Sequence, residues 1–156
     1  MGKAAKYVLD LIEQILGPAE REKRFDWARG DLSPRTKRAE RLPFDAAWEG
    51  RKLIIEIDED QHREATPIFD KPDRLTVSGV HRGKQRQLYD ERKRAAARAN
   101  GYTVLSIPWA RKRKPSPQDA VELRRQLLAA GIVIETDDSE HTSISGGSRS
   151  VKGDTR

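Results

Sequence analysis

Residues Arg41–His62 have the sequence RLPFDAAWEGRKLIIEIDEDQH, and this stretch decides the fold. A first apolar run ends on Asp45, a turn follows at Glu49-Gly50-Arg51, and a second apolar run covers Leu53–Asp58. Alternating apolar residues that are bounded by glycine and charged turn residues are typical of a β-hairpin. The stretch therefore predicts two antiparallel strands of a sheet.

This hairpin would gather acidic side chains at one end of the sheet. Asp45 lies eleven positions before Glu56, so the antiparallel pair can place both carboxylates at the same end. Asp58 shares a strand face with Glu56, because side chains alternate with period two. Two ionised carboxylates about 5 Å apart repel each other by about 3 kcal/mol at an effective dielectric constant of about 20. Such a cluster needs a cation; the alternative is an exposed hairpin end with solvated charges.

The composition limits the class of protein. The chain has 156 residues, which suffices for one domain with a real core, and we place that domain at residues 1–135. Lys and Arg number 31 against 25 acids, a net charge of +6 that favours an anionic polymer as partner. The absence of Cys excludes disulfides and thiolate zinc sites. With no membrane-spanning run and no signal peptide, we expect a soluble, cytoplasmic protein without a membrane partner.

The elements around the hairpin follow from periodicity and turn residues. Apolar residues at helical spacing predict a first helix that stops at Gly17-Pro18, and a short strand is expected at Arg24–Ala28. Arg29–Arg41 carries five basic residues and predicts a mobile basic loop. A long connection, Glu59–Arg82, leads to a second helix at Gly83–Asn100.

The last third of the chain completes the sheet. Tyr102–Ile107 predicts a buried strand, and its helical crossover from the hairpin favours parallel pairing with a right-handed connection. A third helix is expected from Ser116 to Ala130, followed by a short edge strand at Ile132–Glu135. Residues 136–156 lack periodicity and predict a disordered tail. This order of elements predicts an α/β or α+β domain with a mixed central sheet flanked by helices.

Three blocks of sequence, in this order, carry a resemblance to a nuclease family. They are Phe44-Asp45 with Glu56-Ile57-Asp58, the turn Asp58…Gln61-His62, and Tyr89-Asp90-Glu91-Arg92…Gly101-Tyr102-Thr103-Val104-Leu105…Trp109. Over roughly residues 3–110 the chain resembles the PD-(D/E)XK nuclease core, most closely the very-short-patch-repair-like (Vsr-like) endonucleases and related homing nucleases. The resemblance implies a restriction-endonuclease-like fold and metal-dependent hydrolysis of double-stranded DNA.

The resemblance also implies roles for the acidic residues. Asp45 would be the main ligand of Mg²⁺ or Mn²⁺, with Glu56 and the backbone carbonyl of Ile57 beside it. Asp58 stands where the family has a lysine, so nothing at that position can act as a cation that orients the attacking water. Asp58 would then be another metal ligand, or would orient a neighbouring histidine.

Further residues follow by the same resemblance. His62 would activate the attacking water or protonate the leaving oxygen, and Asp90 would orient its imidazole. Gln61 would bind the phosphate or a metal-bound water, and Glu13 on the first helix is a further acidic candidate. The alternatives are that His62 caps a turn and that Asp90 pairs with Arg94 one helical turn later.

Basic residues supply candidate contacts to DNA. Lys84 and Arg86, at the start of the second helix, would contact the scissile phosphate. Arg111, Arg113 and the basic loop that contains Arg38 would follow the flanking backbone. The alternative is that these charges form a solvated surface.

Two departures from the family narrow the expected function. Mismatch-repair members hold a structural zinc through Cys and His, whereas this chain has no Cys, and they place aromatic wedges where this chain has Glu59-Asp60-Gln61. Nicking at T:G mismatches is therefore not expected. The expected function is a metal-dependent DNA endonuclease in which an activated water attacks the phosphodiester directly.

Several alternatives stay open at this point. One is a resolvase of branched DNA that acts on junctions or flaps. Another is a catalytically inactive nucleic-acid-binding module of the same fold, and a third is an assembly protein whose basic loops meet an acidic partner. A double-strand cut by one small site normally needs two copies, so a homodimer on DNA fits the first expectation.

Overall fold

The computed structural model describes residues 1–59 and 82–135, and four strands and three helices lie in these ranges. In chain order the elements are α1 (Lys3–Leu16), β1 (Glu20–Leu32), β2 (Ala39–Trp48), a 3-10 turn (Glu49–Arg51), β3 (Leu53–Glu59), α2 (Arg82–Ala99), β4 (Thr103–Trp109) and α3 (Asp119–Ala129). The four strands form one sheet in the order β1-β2-β3-β4. The expected mixed α/β architecture is confirmed.

The sheet is mixed, with β4 as the parallel strand at one edge. The pairs β1–β2 and β2–β3 are antiparallel, whereas β3 and β4 are parallel, with Ile55 opposite Leu105 and Glu56 opposite Ser106. The predicted parallel pairing is thereby confirmed. β3 can be apolar almost throughout because both of its faces are covered by helices.

A separate hydrophobic core lies on each face of the sheet. The first core packs α1 and α3 against the sheet and includes Leu9, Ile12, Ile55, Ile107 and Leu127. The second packs α2 against the other face and includes Phe25, Phe44, Ile54, Ala97 and Tyr102. Neighbouring residues of β3 alternate between these two cores, which directs Ile55 toward α1 and Ile54 toward α2.

The β1–β2 hairpin is longer than the sequence indicated. The expectation of a mobile loop at Arg29–Arg41 is wrong, because Arg29 pairs with Arg41 and Leu32 with Ala39, which leaves residues 33–38 as the turn. Backbone pairing can extend through charged residues when their side chains point to solvent, and a hydrophobicity pattern does not detect such strands.

Two further boundaries differ from expectation. β2 does not end at Asp45 but continues to the buried Trp48, whose indole N–H donates to the Gly17 carbonyl at 2.9 Å. No strand forms at residues 132–135, which the structure describes; there Ile132 and Ile134 pack against the α1-side core instead.

Some expectations fall on residues outside the described ranges. Residues 60–81, which contain most of the predicted long connection, and the predicted tail at 136–156 are among them. In residues 1–59 and 82–135, every helix is too short or too polar to cross a lipid bilayer.

A buried carboxylate joins α3 to α1 and to the segment after β4. Asp119 is fully buried and accepts hydrogen bonds from the Tyr7 hydroxyl (2.8 Å), the Ser116 N–H (2.8 Å) and the Arg113 guanidinium (2.6 Å). Burial by itself would raise the pKa of this carboxyl, but the hydrogen bonds from Tyr7, Ser116 and Arg113 outweigh it and lower the pKa. The folded protein therefore stabilises the ionised carboxylate of Asp119.

We expect Asp119→Asn to lower the free energy of unfolding at pH 7 by about 1–3 kcal/mol, since it weakens several hydrogen bonds to a buried charge. Because the folded-state pKa is lowered, the contribution is present above about 3.8, the ordinary value, and is lost as the pH falls through the folded-state pKa. Urea unfolding of both proteins at pH 7 and at acid pH measures the difference. Asp10→Asn, which removes an exposed ion pair with Arg21, is the control and should cost less than about 1 kcal/mol.

Candidate active site

Asp45 lies at the point where β2 separates from β3. The two strands pair at Ala46 with Ile55, Ala47 with Ile54 and Trp48 with Leu53. One residue beyond these pairs, the Asp45 Oδ2 atom accepts a hydrogen bond of 2.7 Å from the Ile57 N–H. A side-chain carboxylate thus replaces the carbonyl oxygen that a longer ladder would supply, and a charged acceptor makes this a strong bond.

The backbone around Asp45 breaks the normal alternation of a strand. Phe44 belongs to the α2-side core and Ala46 to the α1-side core, although residues two apart on a regular strand share one face. On the neighbouring strand, Glu22 has φ +50°, a left-handed conformation that costs an L-residue about 1–2 kcal/mol. The irregular backbone lies between regular pairs of β1 and β2. Asp45, the residue that the sequence singled out, belongs to it.

Glu56 extends from β3 toward α2 and meets a lysine there. Its Oε1 atom lies 2.8 Å from the Lys93 Nζ atom, and the two side chains are only 18% and 11% exposed. Beyond this ion pair, Glu56 Oε1 has no hydrogen-bond partner among the described residues. The Lys93 ammonium also lies 4.7 Å from the centre of the Phe44 ring, a favourable cation–π distance. This is a largely dehydrated ion pair inside the domain.

The environment of Glu56 makes its ionisation less favourable than that of a glutamate in water. Burial raises the pKa of its carboxyl, and the Lys93 ammonium opposes that change without cancelling it. The negative charges of Asp45 and Asp90 raise the pKa further. A carboxylate with a raised pKa, among other acids, is typical of a functional site, although structural ion pairs show it too.

The acids surround one pocket of about 410 Å³ at the end of the sheet. Of the predicted site residues, the pocket brings together Asp45, Glu56, Ile57, Asp58 and Asp90. They come from β2, β3 and α2, so residues far apart in the chain meet at one place. The pocket is also lined by Met1, Gly2, Ala5, Pro43, Glu59, Lys93, Arg94 and Ser106.

Glu59 closes the pocket on the α1 side. It is 3% exposed, and its Oε1 atom accepts a hydrogen bond of 3.2 Å from the Ala5 N–H in the first turn of α1. A carboxylate is favourable there because the free N–H groups at a helix start carry partial positive charge. Glu59 therefore anchors α1, whereas Glu56 and Asp58 lie on the opposite face of β3.

The other predicted site residues are elsewhere or outside the described ranges. His62 and Gln61 lie outside them. Glu13 is at the far end of α1, where it accepts hydrogen bonds from Arg21 (2.8 Å) and the Ala19 N–H (3.0 Å). It therefore has a structural role and does not line the acidic pocket.

The predicted DNA contacts differ in their surroundings. Lys84, Arg86, Arg38 and Arg111 are exposed. Arg113 is half-exposed, and its guanidinium binds the buried Asp119 and stacks 4.3 Å from the centre of the Trp109 ring. That guanidinium already stabilises the fold, which makes Arg113 the weakest of the predicted contacts.

Sequence reasoning missed Lys93 and two further pocket residues, Arg94 and Ser106. The sequence offered no cation at the position of Asp58, and the structure places the Lys93 ammonium beside Glu56 from α2 instead. A signal was present: Lys93 precedes the fully buried Ala97 by four residues, so both lie on the inward face of the helix. The alternative for Asp90, an ion pair with Arg94, is wrong as well. These two described residues form no ion pair, although both line the pocket.

The pocket offers the donor chemistry that a hard divalent cation requires. Carboxylate oxygens are the ligands that Mg²⁺ prefers, and it is often bound by one or two carboxylates together with waters and substrate phosphate. The buried Glu56 Oε1 and the neighbouring Asp45 meet that requirement. No cluster of three or more His, Cys, Asp or Glu side chains arranged as metal ligands is present in residues 1–59 and 82–135. The carboxylates of Asp45 and Glu56 therefore suit a metal ion that has two protein ligands.

The comparisons with known proteins are negative. No protein-family model, curated protein or solved structure matches this chain.

A raised pKa for Glu56 predicts a specific pH dependence of stability. The folded state then binds the Glu56 proton more tightly than the unfolded state, whose pKa is near 4.5. The contribution of Glu56 to stability is full below that value and is lost as the pH rises through the folded-state pKa. We expect the difference in unfolding free energy between wild type and Glu56→Gln to fall as the pH rises from 4.5, as measured by urea unfolding.

The control is Glu122→Gln on α3. Hydrogen bonds from Arg125 and Gln126 lower the pKa of this half-exposed carboxyl to about 2, so its contribution should be constant above about pH 5.5 and should not fall as the pH rises. A direct NMR titration of the Glu56 carboxyl carbon with a midpoint at or below 4.5 would contradict the assignment.

Proposed function

We propose that this protein is a metal-dependent DNA endonuclease with a restriction-endonuclease-like fold. The observation that carries the proposal is the meeting of Asp45, Glu56 and Lys93 at the end of the sheet, around an acidic pocket in a basic protein. Two carboxylates beside one ammonium supply what phosphodiester hydrolysis requires: ligands for a cation and a positively charged group near the attacking water.

The residues have separate roles in this proposal. Asp45 and Glu56 would hold Mg²⁺ or Mn²⁺, which when bound lowers the pKa of its water and neutralises phosphate oxygens. The Ile57 N–H fixes Asp45 in place through its hydrogen bond, so the carboxylate needs little reorganisation when a ligand arrives. Asp58 and Asp90 line the same pocket and add negative charge that retains a cation.

In this proposal Lys93 supplies the cationic group that is absent at the position of Asp58. Its ammonium is held on an α-helix by Glu56 and by the Phe44 ring, at the rim of the space where a phosphate would lie. From there it can hydrogen-bond to the attacking water and stabilise the negative charge that develops on the phosphoryl oxygens. The departure at Asp58 therefore does not argue against hydrolysis, because another element delivers the cation.

The proposed substrate is double-stranded DNA. The net charge of +6 favours a polyanion, and the exposed Lys84, Arg86, Arg38 and Arg111 can contact backbone phosphates on either side of the pocket.

One observation favours a second candidate, a nucleic-acid-binding module of the same fold without turnover. Lys93 already neutralises Glu56, so the ion pair satisfies the buried charge without any metal. The two candidates differ in whether a divalent cation displaces this ammonium from Glu56.

The principal test is cleavage of supercoiled plasmid by the purified protein. We expect nicked or linear product with Mg²⁺ or Mn²⁺, none with EDTA, and a loss of at least about a hundredfold in rate for Asp45→Asn. Asp10→Asn, an exposed acid at a distance from the pocket, should retain the wild-type rate. If wild type and Asp45→Asn are equally inert while both bind DNA, the binding-module candidate is correct.

Lys93 has its own test. We expect Lys93→Met to lower kcat by about 10²–10⁴ and to leave the affinity for DNA nearly unchanged, because the ammonium acts on developing charge. The double variant Glu56→Gln with Lys93→Met removes both buried charges together and should restore stability without restoring cleavage. Wild-type turnover by a folded Lys93→Met protein would show that the lysine is only structural.

A further inference from the structure

The β1–β2 hairpin extends past β3 as a two-stranded arm, whose base packs against α2 through Phe25 and Ala28. β2 pairs with β3 at Ala46, Ala47 and Trp48, whereas its first half hydrogen-bonds to β1. We call residues 24–43 the arm and residues 33–38 its tip. From Ala39 to Asp45 the strand covers about 20 Å at about 3.3 Å per residue. The arm therefore begins at the acidic pocket, which Pro43 lines, and ends well away from it.

The arm is fixed to α2 near its tip. The Arg92 guanidinium forms an ion pair of 2.9 Å with Asp31, and the Tyr89 hydroxyl accepts a 3.0 Å hydrogen bond from the Asp31 N–H. Arg92 also donates to the Arg29 carbonyl at 3.3 Å. The missing side chain of Gly30 leaves room for Tyr89, whose ring would lie 3.1 Å from a Cβ atom there. These contacts hold the arm in one orientation relative to the helix that carries Lys93.

The turn at the tip is itself ordered by hydrogen bonds. The Ser33 N–H donates to the Arg38 carbonyl at 3.0 Å, and the Lys37 N–H donates to the Ser33 carbonyl at 2.8 Å. Lys37 adopts a left-handed conformation, with φ +56°, to close the turn. The backbone of the tip is therefore a defined turn from which exposed side chains project.

The charge of the arm is concentrated at this tip. Asp26 is shared by Arg29 and Arg41, at 3.3 and 3.4 Å, and Asp31 is bound by Arg92. In the part of the chain that the structure describes, the exposed side chains of the tip cations form no ion pair; these cations are Arg35, Lys37 and Arg38. Three adjacent cations without partners on an ordered turn form a site for a polyanion.

We propose that the tip of the arm enters the major groove of duplex DNA and that Arg35 and Arg38 contact the backbone phosphates on its two sides. A two-stranded ribbon fits the B-form major groove, which is about 12 Å wide, whereas the A-form major groove is deep and narrow. With the pocket at the base of the arm, the tip contacts lie about 20 Å from the reacting phosphate, or about six base pairs. The inference rests on the proposed function and adds to it how the duplex is held.

The test compares two variants that lose the same charge. Arg35→Gln with Arg38→Gln removes the tip cations and keeps Lys37 for the turn; Arg98→Gln with Arg124→Gln removes two exposed cations from α2 and α3. Fluorescence anisotropy with a 24-base-pair DNA duplex in EDTA measures affinity from 50 to 200 mM salt. We expect the tip variant to lower the salt slope by about 1.8 and to weaken binding by about tenfold or more, since each phosphate contact contributes about 0.9.

Two controls are used: the double variant on α2 and α3, and binding to an RNA duplex of the same sequence. The control variant should keep most of the wild-type slope, and the tip variant should lose little affinity for the RNA duplex. Equal losses for the two variants on DNA, or equal losses for the tip variant on DNA and RNA, would overturn the proposal.

The outcome can be separated from that of the nuclease proposal. Tip-dependent DNA binding without plasmid cleavage would reject the nuclease and support the arm. Plasmid cleavage at wild-type rate and salt dependence by the tip variant would support the nuclease and reject the arm. Circular dichroism and urea unfolding verify that each variant is folded.

Discussion

The ion pair between Glu56 and Lys93 is the constraint on which the candidate site depends. A carboxylate in the middle of an apolar strand loses most of its hydration, and burial raises its pKa accordingly. An ammonium on the facing helix offsets part of that cost, but only if α2 packs against the sheet in one register. The position of α2 and the charge state of the pocket are therefore coupled, since breaking a buried pair by removing one partner is strongly destabilising.

The second constraint is the separation of β2 from β3 at Asp45. Continuous pairing would occupy the Ile57 N–H with a backbone carbonyl, whereas here the Asp45 carboxylate takes that place. The same residue thereby closes the gap between two strands and presents charge to the pocket. The unfavourable backbone of Glu22 on β1 is part of this local arrangement, and sparsely populated conformations of this kind cluster at functional sites.

Acidic side chains and exposed cations are concentrated in different parts of the molecule. The carboxylates are collected in one pocket, and Glu59 is neutralised by the start of α1. In the arm, Asp26 is paired with Arg29 and Arg41 and Asp31 is paired with Arg92 of α2, whereas the tip carries Arg35, Lys37 and Arg38. A duplex that follows the basic tip can approach the acidic pocket only if a cation offsets the repulsion between carboxylates and phosphate, and Lys93 supplies part of that charge.

The sequence by itself determined the strongly patterned elements and the acids of β2 and β3. Apolar patterning located α1, β3 and β4, whereas helix propensity and start and stop residues located α2 and α3. The spacing of Asp45 and Glu56 placed both acids at one end of the sheet, because these are local properties of the chain. The sequence did not predict the charged ends of β1 and β2, because backbone pairing forms these strands without an apolar pattern. Only the tertiary structure decided that Lys93, thirty-seven residues after Glu56 in sequence, supplies the cation and that Arg113 binds Asp119. Such choices depend on which helix face meets which strand, and that is a property of packing that no single stretch of sequence contains.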